Sequence, residues 1–257
     1  MMIWNEQEGH TVTVTVRDRD TLLADLRHRF RAHQGFSVAT LNLDHVVKLR
    51  RDPQFRAAYA AQTHVTADGN PIVWLSRLAG QQVSLVPGSE LIDPLAEVAA
   101  QEAVPVALFG ATPAALQAAA AELTQRFAGI EIVLQHAPEM GFDPQGAAAD
   151  EGIAALEASG AGLCFLALGA PKQEIFASHA SAALPQVGFV SIGAGLDFIA
   201  GTQRRAPVWV RAIAAEWLWR LLSNPVRLAA RYASCLAALP GLTGKALRVR
   251  WQPGPSQ

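Results

Sequence analysis

Leu163-Cys164-Phe165-Leu166-Ala167-Leu168-Gly169-Ala170-Pro171-Lys172-Gln173-Glu174 is the stretch that decides the fold class. Its apolar half reads as a buried strand that stops at a glycine, turns, and opens a helix at Pro171. Proline suits that position, because its missing N–H would have had no intrahelical partner there. Outward from this block the same unit repeats. Short apolar runs predict strands at residues 12–16, 37–41, 64–67, 83–86, 104–109, 131–134, 163–168 and 187–192. Helical patterns fall between and after them, at residues 21–32, 45–51, 71–79, 89–102, 113–127, 147–158, 171–181, 208–222 and 225–239. Strands that are almost wholly apolar and alternate with helices describe an α/β fold, a mostly parallel sheet flanked by helices on both faces. The alternation stops near Val208. The expected organisation is a core over residues 1–207, a C-terminal helical appendage over 208–251, and a disordered tail over 252–257.

Composition agrees with this reading. Apolar residues make up 51% of the chain and charged residues 17%, which suits a well-covered sheet. With 257 residues the chain buries a core without disulfides. Cys164 lies in an apolar run and Cys235 in a helical tail; neither belongs to a C-x-x-C pair, so reduced cytoplasmic thiols are expected. Residues 1–10 are polar and do not read as a secretory leader. No run approaches the roughly 18 apolar residues of a membrane span, so a soluble or peripheral protein is expected. Charge is unevenly spread: residues 201–257 carry nine Lys or Arg against one acid, Glu216. Trp209, Trp217, Trp219 and Trp251 lie in the same segment. A basic, tryptophan-rich tail suits an anionic surface such as phospholipid headgroups, a diphosphate or nucleic acid.

Parallel sheets bind ligands outside the carboxyl ends of their strands, so residues that end strands carry the functional information. After the strand at 163–168, the helix start with Lys172 and Gln173 is a recipe for holding phosphate, with Gly169 allowing the turn. On pattern alone it reads equally as an ordinary turn with a solvated lysine. Gly193-Ala194-Gly195-Leu196-Asp197-Phe198 permits close backbone approach, and Asp197 can orient a sugar or ribose hydroxyl. It lacks the third glycine of a dinucleotide fingerprint, and a tight structural turn reads equally. Asp68-Gly69-Asn70-Pro71 puts a carboxylate at a strand end, where it can take a proton from a hydroxyl or form an Asx turn or cap for the next helix; pattern alone favours the cap. Thr40 and Asn42, at alternate positions, face one side and can bond a sugar or close the strand. In the tail, Arg227 and Arg231 are spaced four apart on one helix face, and Arg220 ends the helix before. Guanidinium forks match diphosphate oxygens; a solvated basic face is the plain alternative.

Taken in order, these segments resemble the WecG/TagA/CpsF family of glycosyltransferases, glycosyltransferase family 26. The resemblance rests on Thr40-Leu41-Asn42, Ala67-Asp68-Gly69, Gly88-Ser89-Glu90-Leu91, Leu108-Phe109-Gly110 and the Gly169–Glu174 and Gly193–Phe198 blocks. Ala200-Gly201, Arg205-Ala206-Pro207, Glu216-Trp217-Leu218-Trp219-Arg220 and Pro225-Val226-Arg227 complete it, over roughly residues 38–232. The resemblance implies a Rossmann-like fold of the type called GT-E and an inverting, metal-independent transfer with no cofactor. Family donors are UDP-sugars carrying N-acetylmannosamine, its uronic acid or glucose. The acceptor is a sugar on a polyprenyl diphosphate at the inner face of the membrane, in cell-surface or exopolysaccharide biosynthesis. A cytoplasmic protein held peripherally on an anionic membrane is the expectation, and relatives associate as dimers or trimers. By position, Asp68 matches the family's proposed catalytic base, Thr40 and Asn42 its sugar site, and Gln173 a pocket residue. Arg220, Arg227 and Arg231 match an appendage that closes over the site. Gly169, Lys172, Glu174, Gly193, Asp197 and Arg205 complete the expected substrate-binding set. One position departs: many relatives carry arginine three residues before the glycine of the G-S-D-L block, where this chain has Leu85.

Rival readings are a nucleotide-dependent oxidoreductase and a non-catalytic nucleotide-binding scaffold at the membrane. The first predicts a G-x-G-x-x-G turn and a later acid, which the sequence lacks. The second is disfavoured by the retained Asp68 and P-K-Q-E block. No nucleic-acid-binding module is present in the sequence.

Overall fold

The computed structural model describes residues 1–203, 207, 210, 216–223 and 225–251. The expected tail at 252–257 and Arg205 lie outside the described residues. Six parallel strands form the main sheet: β3 (Phe36–Leu41), β4 (His64–Ala67), β5 (Val106–Gly110), β6 (Ile132–His136), β7 (Leu163–Ala167) and β8 (Gly188–Ser191). Their order is β4-β3-β8-β7-β5-β6. The register places Val38 between His64 of β4 and Val190 of β8.

Because side chains alternate across a strand, the sheet divides its residues between two cores. Val38, Val106, Leu108, Leu163, Phe165 and Val190 face one core. Helices α1 (Arg19–Arg31), α5 (Ile92–Gln101), α6 (Pro113–Arg126) and α9 (Gly195–Ile199) cover that side. On the opposite face lie Ala39, Leu41, Val65 and Ala67, then Ala107, Phe109, Cys164, Leu166 and Phe189. Here the cover is α2 (Leu43–Leu49), α3 (Pro53–Ala60), α4 (Asn70–Leu78), α7 (Ala147–Ser159) and α8 (Lys172–Ala183). This is a Rossmann-like α/β arrangement. The chain leaves β3 towards α2 on one face and β8 towards α9 on the other, so a crevice opens between these neighbouring strands.

Four elements differ from the sequence expectation. Residues 12–16 do not join the main sheet. β1 (Ile3–Gln7) and β2 (His10–Thr13) form a separate antiparallel hairpin, turning at Glu8 and Gly9, both at positive φ. Those are the angles of the two-residue turn that suits twisted strands. The polar start conceals this hairpin, which buries Met2 and Trp4 beside Val12 and Val14. Residues 83–86 contribute only one parallel bridge, Leu85 to Ala67, with Val86 N–H donating to the Ala67 carbonyl at 2.9 Å. Helix α3 is additional, opened by the Asp52 carboxylate accepting from Phe55 N–H at 3.0 Å. Its sequence signal is Asp52-Pro53.

The fourth difference lies at the end of the chain. Helix α10 (Glu216–Ser223) is followed by α11, which spans Pro225–Trp251 and continues through Pro240 rather than ending at 239. Proline removes a helix hydrogen bond, yet beyond it Leu242 and Ala246 are buried in the same core as Met2, Trp4 and Ile72. That burial carries the helix past its breaker. Leu242→Ala should therefore lower unfolding stability by about 2–5 kcal/mol, as for a core leucine. Denaturant titration checks this, and a loss below about 0.5 kcal/mol, the size of a surface change, would detach the helix end from the core.

Candidate active site at the carboxyl edge of the sheet

Loops following β3, β4, β7 and β8 meet at the crevice. Asp68 extends β4 by one residue, its N–H donating to the Leu41 carbonyl at 2.7 Å. The residue is half-buried at the sheet edge. Gly69, at φ +110, is the N-cap of α4 and makes no side-chain capping bond. Asp68 is therefore not the cap of this helix. Asn42 does take such a role: its side chain accepts from His45 N–H at 3.0 Å and starts α2. Thr40 is buried at the end of β3, beside Gly88. A side chain at 88 would place its Cβ 2.6 Å from the Ser191 carbonyl oxygen, so glycine lets this segment cross closely over β3 and β8.

The loop after β7 turns at Gly169, at φ +72, and passes through a cis Ala170–Pro171 bond into α8. Lys172 opens that helix and is half-buried. The free helix-start donors expected here are reduced, because Gln173 N–H donates to the Gly169 carbonyl at 3.1 Å. The Gln173 side chain turns inward, 2% exposed. Its Nε2 donates to Glu174 Oε1 at 2.8 Å, and its Oε1 accepts from Gly193 N–H at 3.1 Å. Glu174 is fully buried, so its carboxylate belongs to the core and not to the cleft wall. Asp197 is also engaged locally: its carboxylate accepts from the Thr202 hydroxyl at 3.1 Å and Gln203 Nε2 at 3.0 Å, closing the turn after α9.

Lys48, which the sequence did not single out, lies beside this edge. Its Nζ donates to the Ala170 carbonyl at 3.1 Å and pairs with Asp44 at 2.9 Å. Arg231 of α11 reaches the same Asp44 carboxylate at 3.2 Å. Asp44, Lys48 and Arg231 help to line a cleft of about 320 Å³ between α2 and α11. The only sequence trace of this grouping is the i,i+4 spacing of Asp44 and Lys48. Arg231 thus packs against α2, in a cleft that none of the strand-end residues lines, while the side chains of Arg220 and Arg227 lie outside what is described.

Beneath the edge is a buried polar group. His45 Nδ1 lies 3.1 Å from the Tyr59 hydroxyl. Burial, with Lys48 nearby, pushes the imidazole down to about 3 and keeps it neutral. Burial, reinforced by Glu174 and Asp68, holds the Tyr59 phenol well above its usual value. Burial also raises the Glu174 carboxyl to about 7, against the opposing pull of the Gln173 hydrogen bond and Lys48. Among the described residues, no three His, Cys, Asp or Glu side chains gather into a metal-binding group. No described helix is long and apolar enough to cross a membrane.

A doubly covered parallel sheet, with charged and amide groups collected where its strand order turns, defines an α/β protein with a ligand cleft at its carboxyl edge. Fold alone leaves the chemistry open. Residues 9–255 match the sequence model of the glycosyl transferase WecG/TagA/CpsF family, and the chain belongs to that family. It is a glycosyltransferase, using a nucleotide-sugar donor and a sugar acceptor.

The buried Glu174 makes stability pH-dependent. An unfolded carboxyl near 4.5 releases its proton well before the folded one at about 7. Its stabilising contribution is therefore complete below the lower value and is lost as pH rises through the upper one. Thermal unfolding of wild type should fall relative to Glu174→Gln as pH is raised from 4.5 through 7. Parallel curves across that range would mean that the carboxyl ionises without penalty in the fold.

Proposed function

We propose that the protein transfers a hexose, N-acetylhexosamine or its uronic acid from a UDP-sugar to a polyprenyl-diphosphate-linked sugar, with inversion and without a metal, in cell-surface polysaccharide synthesis. The observation that carries this reading is the placement of Asp68. It is a half-buried carboxylate at the end of β4, hydrogen-bonded through its backbone to the end of β3, with the next helix capped by another residue. Asp68 takes the acceptor hydroxyl proton as that oxygen attacks the anomeric carbon. The bond from that carbon to the UDP β-phosphate oxygen breaks on the opposite face, and its electron pair leaves with UDP. General-base assistance of this kind contributes roughly 10² to 10⁴ in rate.

Charge growing on the diphosphate calls for positive groups in fixed positions. Lys172 at the opening of α8, Lys48 against the Ala170 carbonyl, and Arg231 facing α2 supply candidates. They stand in for the arginine that relatives carry where this chain has Leu85, 41% exposed. Trp217, Trp219, Leu222 and Val226 are exposed on α10 and the start of α11. Beside the basic tail, they support peripheral attachment to the inner face of an anionic membrane.

UDP release from a panel of UDP-sugars, with and without a lipid-diphosphate-linked acceptor, tests the reading and names the donor. Asp68→Asn should lose about 10² to 10⁴ in turnover while still binding UDP. Turnover equal to wild type would remove Asp68 from the role, and loss of all turnover on adding EDTA would overturn metal independence. Sedimentation with anionic vesicles should carry the protein down; failure to co-sediment would argue against membrane attachment.

A further inference from the structure

We propose that Glu174 is a positioning residue for the transfer: by accepting from Gln173 Nε2, it sets the orientation of the Gln173 amide, which in turn holds the Gly193 turn at the end of β8. The inference rests on the reading of this edge as the transferase site, and it assigns Glu174 a role other than touching substrate.

Glu174 is completely buried, and its Oε2 has no hydrogen-bond partner among the described residues. Burying a carboxyl with one oxygen unsatisfied is costly, and an apolar residue of similar size would commonly be no less stable. Anchoring the helix does not account for the side chain either, since the carbonyl that accepts from Gln62 Nε2 at 3.2 Å is the backbone of residue 174. What the carboxylate does accomplish is directional. A side-chain amide has an oxygen end and a nitrogen end of nearly equal shape, and it can sit either way round. Gln173 stands between Glu174 Oε1 and Gly193 N–H. One orientation satisfies both. The other points the amide NH₂ at a backbone donor and its oxygen at a carboxylate. Gly193 N–H can only donate, and the Glu174 carboxylate oxygen accepts, so the two partners together select the first.

The consequence is felt at the site. Gly193 has φ +56 and follows Ile192, whose N–H donates to the Leu166 carbonyl of β7 at 3.0 Å. The Gln173 amide therefore joins the loops after β7 and β8, which flank the crevice. Gly195, two residues on, opens α9 beside the Ile92 side chain, so the Gly193 turn leads directly into that helix. The groups whose charge bears on this network are Lys48 from α2, Tyr59 from α3 with its His45 partner, and Asp68 at the end of β4. The carboxyl standing near 7 puts the selecting, ionised form within reach at neutral pH.

Hydrogen exchange at the Gly193 amide reads the relay directly, with no ligand present. Glu174→Leu removes the acceptor while keeping bulk, with Glu174→Met as the substitute if leucine prevents folding. In the folded variant, exchange at Gly193 should accelerate about tenfold, the size of one lost hydrogen bond. Glu174→Gln, which still offers an oxygen to Gln173, should stay within about threefold of wild type. In turnover of the UDP-sugar, Glu174→Leu and Gln173→Leu should each lose activity, and the double variant should lose no more than Gln173→Leu alone. Unchanged Gly193 exchange in a folded apolar variant would overturn the proposal. So would losses that multiply in the double variant, because Glu174 would then act independently of Gln173. Wild type that turns over no UDP-sugar would instead overturn the functional reading, leaving the exchange measurement to decide the relay by itself.

Discussion

Everything at the active edge depends on β3 lying between β4 and β8 in a fixed parallel register. Val38 faces His64 on one side and Val190 on the other, and Leu41 faces Ala67. A slip of one residue would send Val38 and Thr40 to the face now occupied by Ala39 and Leu41, exchanging the two cores. Local packing makes such a slip costly. Phe36 lies against Gly188, where a Cβ would stand 2.3 Å from the phenyl ring, so the neighbouring strand accepts no side chain at that point. With the register held, the ends of β3 and β4 come level, and Asp68 sits beside the end of β3.

The cleft is built on a second constraint, the satisfaction of polar groups beneath it. Asn42 starts a helix, Asp197 closes a turn, and Gln173 links two loops. Each was a candidate for touching substrate, and each has its side chain, in whole or in part, committed to the protein. Groups held in this way make the edge rigid. Asp68 and Lys172 are half-buried there, while Lys48 and Arg231 pair with Asp44. The Lys48 ammonium also ties α2 to the loop after β7.

The C-terminal helix shows how tertiary contacts override local signals. Pro240-Gly241 is a strong stop in any helical pattern, yet α11 runs through it to Trp251. Ala238, Leu242 and Ala246 recur at four-residue spacing and face the core that the N-terminal hairpin completes. The two ends of the chain therefore contribute to one core. Neither element was readable alone: the hairpin strands are short and mixed in polarity, and the helix contains a breaker. The hairpin packs on α2 and α3 and the C-terminal helix on α2 and α4, so both draw their stability from apolar faces that only the folded chain brings together.

The sequence by itself determined the α/β class, the strands of the parallel sheet from 37 to 192, and the blocks that end them. Each of those properties is local: a run of apolar residues buried on both faces, a glycine at positive φ, a proline at a helix start. Pattern alone favours Asp68 as the cap of the next helix, whereas the N-cap of α4 is Gly69. Tertiary structure alone decided which of the polar residues turn into the core. Glu174 stands next to Gln173 in sequence and reads as part of the same recipe, yet the helix turns it wholly into the core. Lys48 belongs to a helix with no motif, and it reaches the site because α2 packs beside a loop 122 positions away in the chain. Direction and distant proximity depend on how helices settle against the sheet, and neither is written in the spacing of residues along one strand.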